Sequence, residues 1–475
     1  MKVSAFASAS LMVLLTACSS RPYTAHGGIT AAPQADSSVG SGTGAAGTGT
    51  GGAATSTGGG GTGTGGAGTS TGGAGTSTGG AGTSTGAGAT SGSANLTVHE
   101  WGTFTSVNNS AGALMEGLHH EEEALPLFVY GRAKVASGGT AITGGKSLEA
   151  QPTGVTQKLE TPVLYFYGTG IPSVRVRVDF PKGVLSEWYP NAAMFGPKIG
   201  AATGSTMTVA GGFMEWRADL SPSMTQADFP PVVPEDIWAP SRRVASLPVT
   251  VGAEHEQFIF YRGLGSFKLP LTIDVDANGL VNIHNQSSDS SPAVYLLRVH
   301  AGGGAIVDLG PLAAGGHITG VPMPAGGKEH DLSVYVKNAQ DRIAQAVQGT
   351  GLYADEARAM VETWSRSYFQ SYGLRILYVV PRAWTDSLLP LTIEPTPREL
   401  VRTLMGRVEV LAPAEENDLL ARAVAASAGG VPASTVIKEL GRLAEPKLRR
   451  VLELTTDPTV RAWCQSAIAT AAAMP

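Results

Sequence analysis

The sequence predicts a mainly β fold, an antiparallel sandwich or a barrel-like sheet, with one long inserted helix and a small helical bundle at the carboxyl terminus. Three observations support this class. Residues 173–180 alternate strictly, so that Val174, Val176 and Val178 share one face of a strand. Glycine and proline separate further short apolar runs, as is typical of antiparallel sheets. From about residue 413 the apolar spacing becomes helical.

The clearest turn signal lies between residues 269–276 and 280–284, which both alternate. Asn278-Gly279 between them is typical of a two-residue hairpin turn, because both residues tolerate the left-handed backbone that such a turn needs. The same reasoning predicts further strands at 163–167, 257–262, 293–300, 332–336 and 374–380.

One long helix is predicted at 355–369, with acidic residues in its first turn and an apolar stripe that includes Met360 and Trp364. Four helices follow in the carboxyl-terminal part, where caps and prolines mark their starts. The markers are Pro413, Ser434, Pro446 and Asp457-Pro458, and Gly429-Gly430 ends the first of these helices.

The domain organisation follows from composition. Residues 27–95 are almost all Gly, Thr, Ser and Ala, and Gly-Gly-Ala-Gly-Thr-Ser-Thr occurs three times in tandem from Gly65. This segment has too little apolar surface to offset the entropy of ordering it, so we expect a flexible tether over 18–95. A β-rich domain is predicted at 96–410 and the helical bundle at 411–475. The net charge of −5 and the lack of a basic, aromatic patch argue against nucleic-acid binding.

The amino terminus has the layout of an export signal. Lys2 precedes an apolar run that is too short to span a bilayer, and Leu15-Thr16-Ala17-Cys18 follows. This ending resembles the lipobox of bacterial lipoproteins. The resemblance implies that residues 1–17 are removed, that Cys18 carries the lipid, and that Ser19 directs the product to the outer membrane, as in lipoproteins of Gram-negative bacteria. Cys464 is then a lone cysteine, and its apolar helical context predicts a buried, inert thiol.

Two dense polar segments are candidate sites. In the segment His119-His120-Glu121-Glu122-Glu123, a helix would place His119, His120 and Glu123 on one side, where they could hold a divalent metal. The alternative is a solvated charge run. In His99-Glu-Trp-Gly-Thr-Phe-Thr105, a strand would place His99 and Glu100 on opposite faces, where each makes hydrogen bonds while the aromatic residues pack.

A softer pattern is a carboxylate next to tryptophan, which occurs at Glu100-Trp101, Glu187-Trp188 and Glu215-Trp216. Aromatic faces with neighbouring acids suit sugar rings, and a pair of carboxylates would suit glycoside hydrolysis. Tryptophan is equally well suited to a core with a polar handle. The sequence does not decide between these interpretations.

Four segments together carry a second resemblance: His99-Glu-Trp-Gly-Thr-Phe-Thr105, Thr161-Pro-Val-Leu-Tyr-Phe-Tyr167, Ser186-Glu-Trp-Tyr-Pro190 and Phe260-Tyr-Arg-Gly263. In this order they are similar to segments of a group of uncharacterised exported bacterial proteins. The resemblance spans roughly 96–410 and implies one continuous domain, but no activity. The catalytic candidates that it suggests are His99, Glu100, Glu187 and Arg262.

These observations lead to two functional hypotheses. The first is a lipid-anchored protein of the cell envelope that acts as a binding or structural module, with an envelope polysaccharide or protein as its partner. The alternative is an envelope hydrolase, either metal-dependent or carboxylate-based. The alternative requires His99, Glu100 and either His119 or Glu187 to meet in one cleft.

Overall fold

The computed structural model describes residues 94–120, 123–130, 152–197, 209–324 and 331–473. Cys18, most of the predicted tether and Glu121-Glu122 lie outside these ranges. The strands within them are β1 Ala94–Asn108, β2 Gln157–Leu159, β3 Val163–Gly168, β4 Ser173–Phe180, β5 Gly183–Tyr189, β6 Met194–Gly196, β7 Gly212–Leu220, β8 Val249–Val251, β9 Glu254–Glu256, β10 Ile259–Gly265, β11 Leu271–Val275, β12 Leu280–Asn285, β13 Ser291–His300, β14 Gly303–Leu312, β15 His317–Pro322, β16 Gly373–Val379, β17 Leu391–Glu394 and β18 Pro397–Val410. The helices are α1 Leu127–Tyr130, α2 Leu332–Gln348, α3 Ala354–Thr363, α4 Arg382–Leu388, α5 Pro413–Gly429, α6 Ala433–Leu440, α7 Ala444–Leu454 and α8 Pro458–Ala473.

The described part of the chain is mostly β, as predicted, and its strands form three sheets. The largest has nine strands in the order β14-β13-β16-β18-β1-β2-β10-β3, with β5 paired to β10. A six-stranded sheet follows β17-β4-β7-β8-β9, with β6 paired to β7, and a three-stranded sheet follows β11-β12-β15. The hairpin at Asn278-Gly279 is present, with Gly279 at a φ of 79°, but Asn278 does not adopt the left-handed backbone.

The centre of the nine-stranded sheet departs from the antiparallel prediction. β1 and β18 pair in parallel over most of their length, with His99 opposite Val401 and Thr105 opposite Arg407. A parallel pair needs a crossover connection, and here nearly 300 residues separate the two strands in the sequence. β18 is also absent from the predicted strands, because buried charged residues interrupt its apolar pattern.

Both faces of β1 are buried, each in a different core. Val98 and Phe104 join a core that also contains Trp216 of the six-stranded sheet and Ile283 of the three-stranded sheet. Trp101 joins a second core, which α2 and α3 cover from the other side. β1 is therefore the central element of the domain, and residues one position apart on it lie in different environments.

Two predictions in the middle of the chain, one strand and one helix, are corrected. Residues 332–336, predicted as a strand, begin the 17-residue helix α2, whose start is capped by the Asp331 carboxylate accepting the Ser333 amide at 2.8 Å. The helix predicted at 355–369 ends at Thr363 and continues as turns. Its apolar stripe is buried as expected, including Met360 and Trp364.

The carboxyl-terminal helical region is present, and it belongs to the same compact unit as the sheets. Its core is closed by Val107 of β1 and Leu411, which follows β18. α5 ends at Gly430 with a φ of 65°, and Asp457 caps α8 by accepting the Thr459 amide at 2.8 Å. Within the described ranges, none of the helices has the length and apolar character needed to cross a membrane.

Candidate functional site

His99 and Glu100 lie on opposite faces of β1, as the strand pattern predicts. The His99 ring is fully buried, and its Nδ1 lies 2.7 Å from Glu356 Oε2 at the start of α3. The Glu356 carboxylate also accepts the Tyr167 hydroxyl at 2.9 Å and the Tyr353 amide at 2.7 Å. Burial first, and then the negative charge of Glu356, raise the pKa of Tyr167 well above its usual value. This arrangement joins β1, β3 and α3 through one buried carboxylate.

Glu100 belongs to a separate network. Its two carboxylate oxygens accept the Tyr261 hydroxyl at 2.6 Å and Arg402 Nε at 2.5 Å. A second nitrogen of Arg402 donates to Asp386 at 2.8 Å. Burial favours the neutral form of Arg402, but the charge of Glu100, together with Tyr261 and the hydrogen bonds to Glu100 and Asp386, outweighs this effect and raises the pKa of the guanidinium. Glu100 therefore serves as the buried counter-ion of Arg402.

Arg262 and Glu187, the other two catalytic candidates, lie on neighbouring strands. The ladder between β10 and β5 contains an irregularity where Ser186 and Glu187 face the position of Arg262. The Ser186 hydroxyl donates to the Glu187 carboxylate, and both residues are buried. Arg262 Nε donates to the backbone oxygen of Glu160 at 2.6 Å. Of the four candidates, these two lie opposite each other across the ladder between β5 and β10, while His99 and Glu100 lie on β1.

The residues predicted to bind metal do not form the expected helix. His119, His120 and Glu123 lie in irregular backbone, and the His119 carbonyl accepts Lys158 Nζ at 3.1 Å. Within the described ranges, His, Cys, Asp and Glu side chains form no group of three or more arranged to hold a metal ion. The helical geometry on which this prediction depended is therefore absent at these three residues.

The side chains of the three Glu-Trp pairs are buried or half-buried, and they do not form one open surface. Trp101 and Trp216 are fully buried in different cores, so neither presents a ring face to a sugar. Trp188 is half-buried against Phe195, with ring centroids 4.7 Å apart. Glu215 accepts a nitrogen of Arg175 at 2.8 Å in the six-stranded sheet. Packing in the core fits these tryptophans better than a shared sugar site. Only Trp216 uses its indole as a polar handle among the described residues, donating to the Pro190 carbonyl at 2.9 Å, whereas the Nε1 atoms of Trp101 and Trp188 have no hydrogen-bond partner there.

Sequence reasoning missed a group of buried charges among the described residues, which we call the charged cluster. It lies on the face of the nine-stranded sheet that carries Thr103 and Thr105, and it consists of Lys158, Glu160, Arg262, Arg375, Arg407, Glu409 and Arg442.

Ion pairs connect the charged cluster across distant parts of the chain. Arg442, in the turn before α7, pairs with Glu160, and the side chains are 4% and 9% exposed. Arg407 Nε donates to Glu409 Oε1 at 2.6 Å. Burial alone would raise the pKa of Glu160, but the positive charge of Arg442, followed by that of Arg407, lowers it. The cluster thus fastens the helical region to the sheet through charged hydrogen bonds.

Tyr368, in the turns after α3, covers the charged cluster. Its ring lies 4.4 Å from the Arg407 guanidinium carbon and stacks on Trp364 with centroids 5.0 Å apart. Its hydroxyl donates to Thr103 Oγ1 at 2.8 Å. In the sequence, this site is indicated only by Thr103 and Thr105, two hydroxyl residues that share one face of the predicted strand.

A small cavity of about 20 Å³ lies beside the cluster, bounded by Glu160, Arg262, Trp364 and Tyr368. This volume suits about one water molecule. Trp364 is 1% exposed, and its indole Nε1 has no hydrogen-bond partner among the described residues. A buried donor of this kind is satisfied by an acceptor from solvent or from a ligand.

The cavity adjoins a larger opening of about 370 Å³, which we call the acidic cleft. The two share the lining residues Glu123, Ile237 and Thr363. Four carboxylates and one guanidinium line the acidic cleft, so its charge is predominantly negative. Its polar lining residues include Glu123, Glu235, Asp236, Glu362, Arg366 and Gln370.

The comparisons with known proteins yield little beyond this geometry. No protein-family model and no curated protein matches the chain. The chain matches 27 solved chains, and one of them is the Fcho1 Mu homology domain of Danio rerio with a bound Eps15 peptide. The sequence identity is 8%, the match covers 67% of this chain and 96% of that chain, and the TM-score is 0.25.

The yeast delta-COP-I mu-homology domain matches both in complex with a Dsl1 WxWxV peptide, at 5% identity, and alone, at 7% identity. Coverage is 66% of this chain in both cases, and 96% and 95% of the respective domains, with TM-scores of 0.23. Scores this low carry no conclusion about the function of this chain.

Proposed function

We propose that this chain is a lipid-anchored protein of the bacterial cell envelope, attached to the outer membrane through Cys18. The support is the Leu15-Thr16-Ala17-Cys18 ending of the apolar run and the low-complexity segment that follows it. A tether of about 70 residues has a root-mean-square reach of about 45 Å. The folded domain could therefore contact wall material at a distance from the membrane that holds it.

The domain itself is, in this proposal, a binding or structural module. The observation that carries this choice is the separation of His99 and Glu100, each of which is used in its own buried network on a different face of β1. A hydrolase built on these residues would need them in one cleft. We further propose that the nine-stranded and six-stranded sheets pack as a sandwich, since residues of both contribute to one continuous core.

The acidic cleft is the proposed binding surface. Its carboxylates attract positively charged groups. A ligand with ammonium groups matches this charge. The proposed partner is therefore a wall polymer with free amino groups, such as peptidoglycan.

Co-sedimentation with peptidoglycan sacculi tests this proposal, using the full-length chain in detergent at low ionic strength. Glu235 is exposed at the cleft, so Glu235→Lys should leave the fold intact and weaken binding. Glu399→Lys is the matched control, since Glu399 is also exposed but lies on β18, outside the cleft. Acetylation of the amino groups of the sacculi should abolish binding, and salt near 1 M should weaken it by screening.

The proposal fails if sacculi bind equally well to the wild type and Glu235→Lys, or equally well before and after acetylation. The hydrolase alternative has a separate test, which is elemental mass spectrometry of the chain purified without chelator or metal resin. A stoichiometric metal that is lost on His119→Ala would favour the metal-dependent hydrolase over the binding module.

A further inference from the structure

Two histidines that are 33 positions apart in the sequence face each other on the three-stranded sheet. β12 and β15 pair in antiparallel fashion, and the register places His284 directly opposite His317. Their ring centroids are 6.3 Å apart, with the ring planes at 72°. The next pair in the ladder is Ile283 opposite Ile318, and Ile283 is buried in the apolar core. Alternation therefore directs both histidines to the opposite, solvent-exposed face.

Both imidazole side chains are accessible. The side chains of His284 and His317 are exposed to solvent, whereas those of His99 and His119 are buried. The backbone around the pair is held by ladders on both sides of β12, which pairs with β11 as well as with β15. The pair thus combines a fixed backbone with side chains that are free to change rotamer.

This geometry is suited to a transition-metal ion. Directly opposite residues in an antiparallel pair have Cβ atoms about 4.5–5.5 Å apart. Two imidazoles at this separation can turn their ring nitrogens toward one ion, at the metal–nitrogen distance of about 2.0–2.1 Å that zinc sites show. Neutral imidazole is a good ligand for nickel, copper and zinc ions. A chelate of two ligands on a rigid ladder loses little conformational freedom when the metal binds.

The surroundings add negative charge. Asp274 lies on the same outward face of the sheet, in register with Asn282, whose side-chain nitrogen donates to it at 2.9 Å. Asn282 is two residues before His284, so the carboxylate lies one step along the sheet from the histidine pair. A nearby carboxylate favours the approach of a cation.

We propose that His284 and His317 together bind one divalent transition-metal ion, with water in the remaining coordination positions. The site is separate from the acidic cleft and from the metal site predicted at His119 and His120. The site depends on the register between β12 and β15 rather than on spacing in the sequence, so no linear motif predicts it.

Isothermal titration of the full-length chain with NiCl₂ tests the proposal. The wild type should bind Ni²⁺ at this site, and His284→Ala and His317→Ala should each weaken binding by about tenfold or more. His300→Ala is the matched control, because His300 is a partly exposed histidine at the end of β13 and should leave binding unchanged. Far-UV circular dichroism of each variant confirms that the exposed substitutions leave the fold intact.

A second readout is the electron paramagnetic resonance spectrum of bound Cu²⁺. The proposal expects coupling to two imidazole nitrogens in the wild type and to one in either single variant. Absence of Ni²⁺ binding would overturn the proposal. So would binding that persists in His284→Ala and disappears in His119→Ala, since that result would assign the metal to the irregular segment instead.

Discussion

The substitution Arg442→Met should weaken the contact between the carboxyl-terminal helical region and the nine-stranded sheet. Its cost in stability should exceed that of any surface substitution. The guanidinium of Arg442 pairs with the buried carboxylate of Glu160 and also donates to Thr105 Oγ1 at 3.3 Å. Methionine has a similar length and keeps most of the apolar packing, so the substitution removes mainly the charge. The remaining carboxylate of Glu160 would then be buried without its strongest counter-charge.

The expected cost follows from the burial of the pair. Removal of one partner from a buried ion pair typically destabilises a protein by about 3–5 kcal/mol. Lys158 and Arg407 still lower the pKa of Glu160 after the substitution, so we expect the lower end, about 3 kcal/mol. A loss of this size is a large part of the total stability of about 5–15 kcal/mol that folded proteins have.

A double-mutant cycle with Glu160→Gln isolates the pair. Urea unfolding followed by both tryptophan fluorescence and circular dichroism should give a coupling energy of about 2 kcal/mol at neutral pH. The folded-state pKa of Glu160 is lowered, so its contribution is complete above its ordinary value near 4.5 and is lost as the pH falls through the folded-state pKa. A coupling energy below about 0.5 kcal/mol at neutral pH would refute the reasoning.

Three further predictions concern single positions. Tyr167→Phe removes a hydroxyl that donates to a buried carboxylate and should cost about 1.5–3 kcal/mol in urea unfolding. Gly102→Ala would place a Cβ 2.8 Å from the Cα of Pro162 and should cost about 1–3 kcal/mol in stability. Gly429→Ala is the control, because a Cβ at this helical position meets no atom within 4 Å, and it should be neutral or stabilising. Burial raises the pKa of Cys464 to about 11, so at pH 8 its thiol should react with a disulfide reagent only after unfolding; rapid reaction in the native protein would contradict this.

The regular elements were predictable where one physical signal dominated. The alternation of residues 173–180 gives β4 with the same boundaries, because one face of that strand is buried and the other is not. Asn278-Gly279 predicts its hairpin because the turn itself requires a positive φ. The start of α2 has the pattern of a strand, since Leu332–Val336 is short and apolar, although Asp331 carries a cap signal for a helix.

The charged cluster could not be predicted, because its members come together only through tertiary structure. Glu160 and Arg442 are 282 positions apart in the sequence, and neither belongs to a motif. Arg407 and Glu409 appear in the sequence as ordinary charges, and only the parallel pairing of β18 with β1 buries them. The prediction that His99 and Glu100 lie on opposite faces is confirmed, since it rests on local strand geometry alone.

The mass of the mature amino terminus, isolated from cells that express the full-length chain, tests the central claim most directly. The lipid-anchored account predicts a first peptide that begins at Cys18 and carries the mass of a lipid, together with partition of the protein into detergent. Cys18→Ser should abolish both the lipid mass and the partition. An unmodified Cys18, or a mature chain that begins at another residue, would contradict the account.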